Sequence, residues 1–205
     1  MKLVTCEVRT AAPGKRFLGA AISDTEFVDL EAAHAAAGRP RDTLPGDMVA
    51  FLTAGDAAHA AALSAIDYAQ ANPGSKAADG LPLVWKREHL RLLPAVPRPG
   101  KILHTSVNFT SHKNEVANFK SEEWRAQNWG AFHYKHPTGF LQAPSSTVGT
   151  DAEVVIPRFT EQLDYEVEIA TVIGRKAKNV SQESALDYVA GFCVFNDISA
   201  RDIQA

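Results

Sequence analysis

The sequence predicts an α+β protein in which a small mixed domain precedes a mostly β domain. Short β-type runs precede alanine-rich helical patterns in the first part, whereas strand signals dominate the second. Between them, residues 94–100 (PAVPRPG) contain three prolines and one glycine. Such a stretch continues neither a helix nor a central strand, so we expect a linker there. The predicted division is 1–93, 94–100 and 101–205.

The first domain is predicted to begin with short strands and to continue with helices. The strands are expected at 2–9, 17–22 and 26–28, and the helices at 29–37, 47–54 and 57–71. Asp29 and Asp47 begin the first two helices, and Asp56 is the expected N-cap of the third. Gly38 and Gly55 are suited to end the first two.

The second domain carries mainly strand signals. Strands are expected at 101–107, 153–156, 163–173 and 191–195, and one helix at 181–188. Ser181 is the expected N-cap of that helix, although Ser184 at the third helical position leaves the reciprocal capping pattern incomplete.

The composition is that of a water-soluble protein that folds around its own core. Hydrophobic residues make up 45% and charged residues 22% of the chain, and the net charge is −3. The sequence contains no basic stripe interleaved with aromatic residues, so it does not predict a nucleic-acid partner. No apolar run has the length of a membrane span, and the N-terminus lacks a signal-peptide pattern. We expect a cytoplasmic protein whose two cysteines, Cys6 and Cys193, are reduced.

The segment 163–173 (LDYEVEIATVI) carries the most informative pattern. As a strand it places alternate residues on opposite faces, so that Asp164, Glu166 and Glu168 share one side. Glu166 and Glu168 are then about 6.7 Å apart along the strand. Carboxylates on a partly buried face repel each other and lose hydration, and a bound divalent cation offsets both costs. Their hard oxygen atoms favour Mg²⁺, Mn²⁺ or Ca²⁺ over zinc.

A third carboxylate, Asp197, follows the apolar run 191–195. We expect it at the end of a buried strand, where functional residues often lie on the adjoining loop. Both signals have a simpler explanation. Alternating glutamates usually form a solvated sheet face, and an Asn-Asp pair often ends a strand as a turn. The alternation alone favours that simpler explanation.

Several segments, taken in their order, resemble the fumarylacetoacetate hydrolase family. They are NFTSHKNE at 108–115, FLQAPSS at 140–146, DYEVE at 164–168, YVAGF at 188–192 and NDISARDIQ at 196–204. The resemblance covers roughly residues 100–205, and the N-terminal part resembles, less distinctly, a domain that many members carry. It implies a β domain of the rolled-sheet type and a homodimer. Several motifs in one order are more specific than any one of them.

The resemblance also implies roles for single residues. It assigns the metal to Glu166, Glu168 and Asp197, and it places Arg201 and Gln204 near the substrate. Arg201 could bind a substrate carboxylate through two parallel hydrogen bonds. Without the resemblance, an ion pair of Arg201 with a neighbouring acid would be the preferred interpretation.

A further implied pair is His112 with Glu115, which matches a His-x-x-Glu pattern in some members. On a helix this spacing places both side chains on one face. Glu115 would orient His112 and raise its basicity, and His112 would take a proton from water. This role depends mainly on the family pattern, and His104, His133 and His136 are competing candidates.

The sequence departs from the family at some positions. Gln142 stands where many relatives have lysine, so a predicted substrate-contacting position lacks its positive charge. Residues 105–107 (TSV) stand where some members have an aspartate ligand. The stretch 113–139 is longer than usual, and its aromatic residues are either a lid or ordinary packing. They are Trp124, Trp129, Phe132 and Tyr134. Because the family's β fold normally continues beyond this point, we also expect a chain truncated at Ala205.

The leading functional hypothesis is a divalent-metal-dependent hydrolase that cleaves a carbon–carbon bond in an acylpyruvate or related β-diketone. Mg²⁺ is the first expected cofactor, with Mn²⁺ or Ca²⁺ as alternatives. In that cleavage the leaving carbanion would depart as an enolate stabilised by the metal. Decarboxylation, isomerisation or dehydration of a small oxo-acid would use the same metal-stabilised enolate. A metal-binding or ligand-binding protein without turnover is the alternative from another class.

Overall fold

The computed structural model describes residues 1–106, 108–111, 114 and 136–203. These residues form nine strands and three α-helices, which confirms the predicted α+β class. The strands are β1 Lys2–Val8, β2 Arg16–Ala21, β3 Glu26–Asp29, β4 Val84–Lys86, β5 Leu90–Leu92, β6 Ile102–Thr105, β7 Gly139–Gln142, β8 Leu163–Ile173 and β9 Val189–Ala200; the helices are α1 Leu30–Ala36, α2 Met48–Ala54 and α3 Asp56–Ala71.

The chain divides into two compact units. The first comprises Met1–Arg98, Thr147–Glu153 and Ile169–Val194, and the second comprises Pro99–Ser146, Val154–Glu168 and Phe195–Ala205. The predicted division into 1–93, 94–100 and 101–205 stays a prediction.

The first unit is built on a five-stranded antiparallel sheet with the strand order β4-β3-β2-β1-β5. Because successive side chains of a strand point to opposite faces, neighbouring residues serve two different cores. Leu18 and Val28 pack with the helices, whereas Phe17 and Phe27 pack with Trp85 on the other side. The sheet is therefore apolar on both faces.

The three helices begin close to their predicted positions. The Asp29 carboxylate accepts a hydrogen bond from the Ala32 N–H at 3.1 Å, and the Asp47 carboxylate accepts one from the Ala50 N–H at 2.9 Å. The third helix differs, because Asp56 is its first residue and no side chain caps it. Gly55 lies between α2 and α3 with a φ of 64°, a conformation that favours glycine.

Among the described residues, no single helix has the length and apolar character needed to cross a membrane, although α2 and α3, bent by 116°, meet those two criteria as a pair.

Some expected elements are absent or shorter in the structure. The expected strand at 153–156 is wrong, since these residues belong to no strand and the apolar side chains of Val155 and Ile156 are exposed. A β-rich composition forms a strand only where a partner strand is available. The expected helix at 181–188 is reduced to the 3₁₀ turn Ala185–Tyr188, and no side chain caps it.

The second unit contains an antiparallel pair, β6 with β7, in which His104 lies opposite Phe140 and Thr105 lies opposite Gly139. A Cβ atom on Gly139 would collide with the backbone carbonyl of His104. The two strands approach each other this closely because residue 139 is a glycine.

The other strands that bear on the candidate site are β8 and β9, which form a two-stranded sheet. In the second unit the Arg201 N–H donates to the Gln162 carbonyl at 2.9 Å. β8 covers the whole predicted strand 163–173, and its alternation is confirmed. The acidic residues are half-buried, whereas Tyr165 and Val167 on the opposite side are 70% and 71% exposed.

We expect the two thiols to differ in reactivity, because Cys6 is fully buried and Cys193 is half-buried. Burial, together with the nearby charge of Asp29, raises the pKa of the Cys6 thiol to about 12. Thiols react as thiolates, so Cys6 should stay inert to Ellman's reagent at neutral pH in the native protein. Titration should give a slow signal from Cys193 alone, and both thiols after denaturation. Loss of the native signal in Cys193→Ser is the control; rapid native labelling of that variant would contradict the prediction.

Candidate metal site

Three metal-ligating side chains from three strands meet in the second unit: His104 of β6, Glu168 of β8 and Asp197 of β9. His104 Nδ1 lies 3.3 Å from Glu168 Oε2 and 3.5 Å from Asp197 Oδ2. One possible ligand atom from each residue lies within 4.8 Å of the others. A single ion could therefore contact all three.

The cluster is shielded from solvent to different extents. The side chains of His104, Asp197 and Glu168 are 4%, 12% and 36% exposed. Burial raises the pKa of Glu168, His104 opposes this shift, and the negative charges of Asp197 and Glu166 add to it. A bound cation would reduce the repulsion between these carboxylates and offset their loss of hydration. The donor set of carboxylate oxygens and one imidazole nitrogen fits a divalent metal.

The predicted ligands Glu168 and Asp197 are thus brought together, but Asp197 lies inside β9 rather than at its end. The expected strand 191–195 was too short, because pairing with β8 extends β9 to Ala200. Glu166 is engaged elsewhere: its Oε1 forms an ion pair with Arg201 Nη1 at 2.9 Å and accepts a hydrogen bond from Ser199 Oγ at 3.1 Å. The assignment of the metal to Glu166, Glu168 and Asp197 stays a prediction.

Of the predicted substrate-contacting residues, Gln142 contacts the cluster and Arg201 contacts acids of β8 outside it. Arg201 lies between two acids, with Nε 2.9 Å from Asp164 Oδ2. Gln142 links two members of the cluster, since its Oε1 lies 3.0 Å from His104 Nε2 and its Nε2 donates to Asp197 Oδ1 at 3.4 Å. Gln204 lies outside the described residues.

The predicted catalytic pair His112 and Glu115 and the competing His133 also lie outside the described residues. So do the four aromatic residues predicted to form either a lid or ordinary packing. His104 was a competing candidate for the catalytic histidine, but in the structure it is one of the three possible metal ligands. The sequence contained one usable signal for this, a histidine within the predicted strand 101–107. Its partners could not be read from the sequence, because they depend on which strands pair.

The fold and the cluster define a protein of mixed helices and sheets with a candidate divalent-metal site. Residues 101–205 match the family model described as the C-terminal domain of fumarylacetoacetate (FAA) hydrolase. The chain belongs to this family, which confirms the resemblance found in its motifs.

Relatives of known sequence include a human protein named oxaloacetate tautomerase FAHD2A, mitochondrial. It is 36% identical over 162 residues, which are 79% of this chain and 44% of the human protein. A protein from Pyrococcus abyssi is 38% identical over 108 residues, which are 53% of this chain and 42% of that protein. The chain thus spans less than half the length of these relatives.

Solved structures show the same fold. A fumarylacetoacetate hydrolase from Exiguobacterium antarcticum covers the whole chain with a TM-score of 0.58 at 22% identity, over 58% of its own length. A 5-carboxymethyl-2-hydroxymuconate delta-isomerase from Mycobacterium smegmatis also covers the whole chain, with a TM-score of 0.58 at 17% identity and over 57% of its length. At these identities the likeness establishes the architecture and leaves the reaction open.

Proposed function

We propose that the chain forms the metal-binding part of an enzyme that promotes enolate chemistry on a small oxo-acid or β-diketone. The observation that carries the proposal is the meeting of His104, Glu168 and Asp197 around one possible ion position. A divalent cation there would supply Lewis-acid polarisation of a substrate carbonyl. The predicted set of Mg²⁺, Mn²⁺ or Ca²⁺ is kept as the starting point.

The surrounding residues supply positioning and charge. Arg201, held against Asp164 and Glu166, keeps positive charge beside the carboxylates and supports recognition of an acidic substrate. His112, oriented by Glu115, would move the proton. For tautomerisation it would take a proton from the carbon next to the carbonyl, and the carbonyl oxygen would receive a proton from water.

Tautomerisation or isomerisation of an oxo-acid is the first candidate outcome, and the specific observation that favours it is the 36% identity with the human oxaloacetate tautomerase. Hydrolysis of an acylpyruvate is the second, favoured by the family model. In that reaction His112 would take a proton from water, the water oxygen would bond to the carbonyl carbon, the carbon–carbon bond would break, and a proton would pass to the departing carbon.

Product analysis tests the proposal. The protein, loaded with Mg²⁺ or Mn²⁺, is incubated with oxaloacetate and with a panel of acylpyruvates. We expect faster keto–enol interconversion at unchanged mass for the first candidate, and two shorter acids for the second. Loss of either activity with a chelator and its return with metal would support the shared chemistry. A metal-loaded protein that changes neither substrate class would instead be a binding protein without turnover.

A further inference from the structure

We propose that His104 binds the metal through Nδ1, that Gln142 fixes this role, and that the site therefore prefers a first-row transition ion to Mg²⁺ or Ca²⁺. The inference rests on the proposed metal site and shifts the expected ion from Mg²⁺ or Ca²⁺ to the first-row transition metals. It concerns two residues, His104 and Gln142, that the sequence patterns did not assign to the metal.

The side-chain amide of Gln142 determines which nitrogen of His104 carries hydrogen. Gln142 Nε2 faces Asp197 Oδ1 at 3.4 Å, so its carbonyl oxygen Oε1 is the atom that faces His104 Nε2 at 3.0 Å. The flipped amide would place Oε1 against a carboxylate oxygen, which is repulsive. Because a carbonyl oxygen only accepts hydrogen bonds, His104 Nε2 must be the donor. In a neutral imidazole the lone pair then belongs to Nδ1.

That lone pair faces negative charge. Nδ1 lies 3.3 Å from Glu168 Oε2 and 3.5 Å from Asp197 Oδ2. Three electron-rich atoms at these distances repel one another unless a cation or a second proton lies among them. Ligands that share one ion at bond lengths of about 2.0–2.2 Å are separated by roughly 3–3.5 Å. The spacing therefore suits neighbouring ligands of one metal ion.

The imidazole is also held in place before any ion arrives. Phe140 stacks on His104 with ring centroids 4.7 Å apart and an interplanar angle of 4°, and Phe195 meets the ring edge-on at 5.5 Å. The side chain is 4% exposed. A ring fixed by packing and by a hydrogen bond on its far nitrogen loses little freedom on binding metal, as ligand histidines require.

Imidazole changes which ion such a site prefers. Mg²⁺ and Ca²⁺ favour oxygen donors and water, whereas Fe²⁺, Co²⁺, Ni²⁺ and Zn²⁺ gain from a nitrogen ligand. One nitrogen among carboxylate oxygens should therefore raise the affinity for the later ions relative to Mg²⁺. Gln142 acts as a positioning residue, because it keeps Nδ1 free of hydrogen and aimed at the carboxylates.

Pulsed electron paramagnetic resonance of the full chain loaded with Mn²⁺ tests the proposal without any activity measurement. We expect echo modulation from a coordinated ¹⁴N nucleus in the unmodified protein and its loss in His104→Phe, which keeps an aromatic ring beside Phe140 and Phe195. His136→Phe, at an exposed histidine, is the matched control and should keep the signal. Should His104→Phe fail to fold, the absence of a nitrogen signal from the unmodified protein would still overturn the proposal.

Calorimetric titration with Co²⁺ and Mg²⁺ provides the second measurement. His104→Phe should lower the Co²⁺ affinity by about 10–100-fold while changing the Mg²⁺ affinity less, and Gln142→Leu should lower the Co²⁺ affinity in the same direction. Mn²⁺ bound without a nitrogen signal would overturn this inference and leave the proposed function standing. No binding of Mn²⁺, Co²⁺ or Mg²⁺ at millimolar concentration would overturn both.

Discussion

Glu168→Gln is expected to lower the affinity of the protein for Mn²⁺ on the order of 100-fold or more. The change keeps the shape of the side chain but removes the charge that faces His104 and Asp197. Loss of an outer partner of a metal ligand already costs about 10–100-fold, so the loss of a ligand charge should cost at least as much. Isothermal titration calorimetry measures the effect, and the metal-dependent activity should fall with it.

Glu161→Gln is the matched control, because Glu161 is an exposed glutamate of the same unit outside the cluster. Its Mn²⁺ affinity should equal that of the unmodified protein. Equal losses in the two variants would point to a general charge effect, and an unchanged affinity in Glu168→Gln would remove Glu168 from the metal site.

His112→Ala is expected to reduce turnover by about 10²–10⁴-fold, the range by which a positioned general acid or base accelerates a reaction. The Mn²⁺ affinity should not change, because the proposed role of His112 is proton transfer. Steady-state kinetics with the substrate identified by product analysis, together with calorimetry on the same sample, separate the two effects. Glu115→Gln should show a smaller loss in turnover, since Glu115 would act through His112.

The control for this variant is His59→Ala, an exposed histidine of helix α3. Full activity in His112→Ala would exclude the proposed base and direct attention to the remaining histidines. A parallel loss of metal affinity would show instead that the substitution disturbs the cluster.

The parts of the fold that were predicted correctly have local causes. The alternation from Leu163 to Ile173 requires only one strand to be recognised. The predicted helix starts at Asp29 and Asp47 are likewise local, since each aspartate caps its own first turn in the structure. The strands β4 and β5 were missed, because each has three residues and forms only where a neighbouring strand provides hydrogen bonds. Residues 153–156 had the composition of a strand and lacked such a partner among the described residues.

The candidate site also has a part that could be predicted from local sequence and a part that could not. Glu168 and Asp197 were found because their acidic patterns and family motifs are visible along the chain. The neighbourhood of His104 and Gln142 was not predictable, because it follows from the register that places Ile102 opposite Gln142 and His104 opposite Phe140. The engagement of Glu166 with Arg201 and Ser199 also depends on side-chain geometry across two strands. Motifs along the chain name candidate residues but do not show which of their atoms meet.

The position of Arg201 affects how an anionic substrate would be recognised. Its guanidinium already contacts Asp164 and Glu166, each at 2.9 Å. An incoming carboxylate that binds Arg201 would therefore compete with resident counterions instead of meeting an unoccupied charge. The net affinity would be the difference between two similar attractions, so Arg201 would strengthen the binding of an anionic substrate or product only modestly.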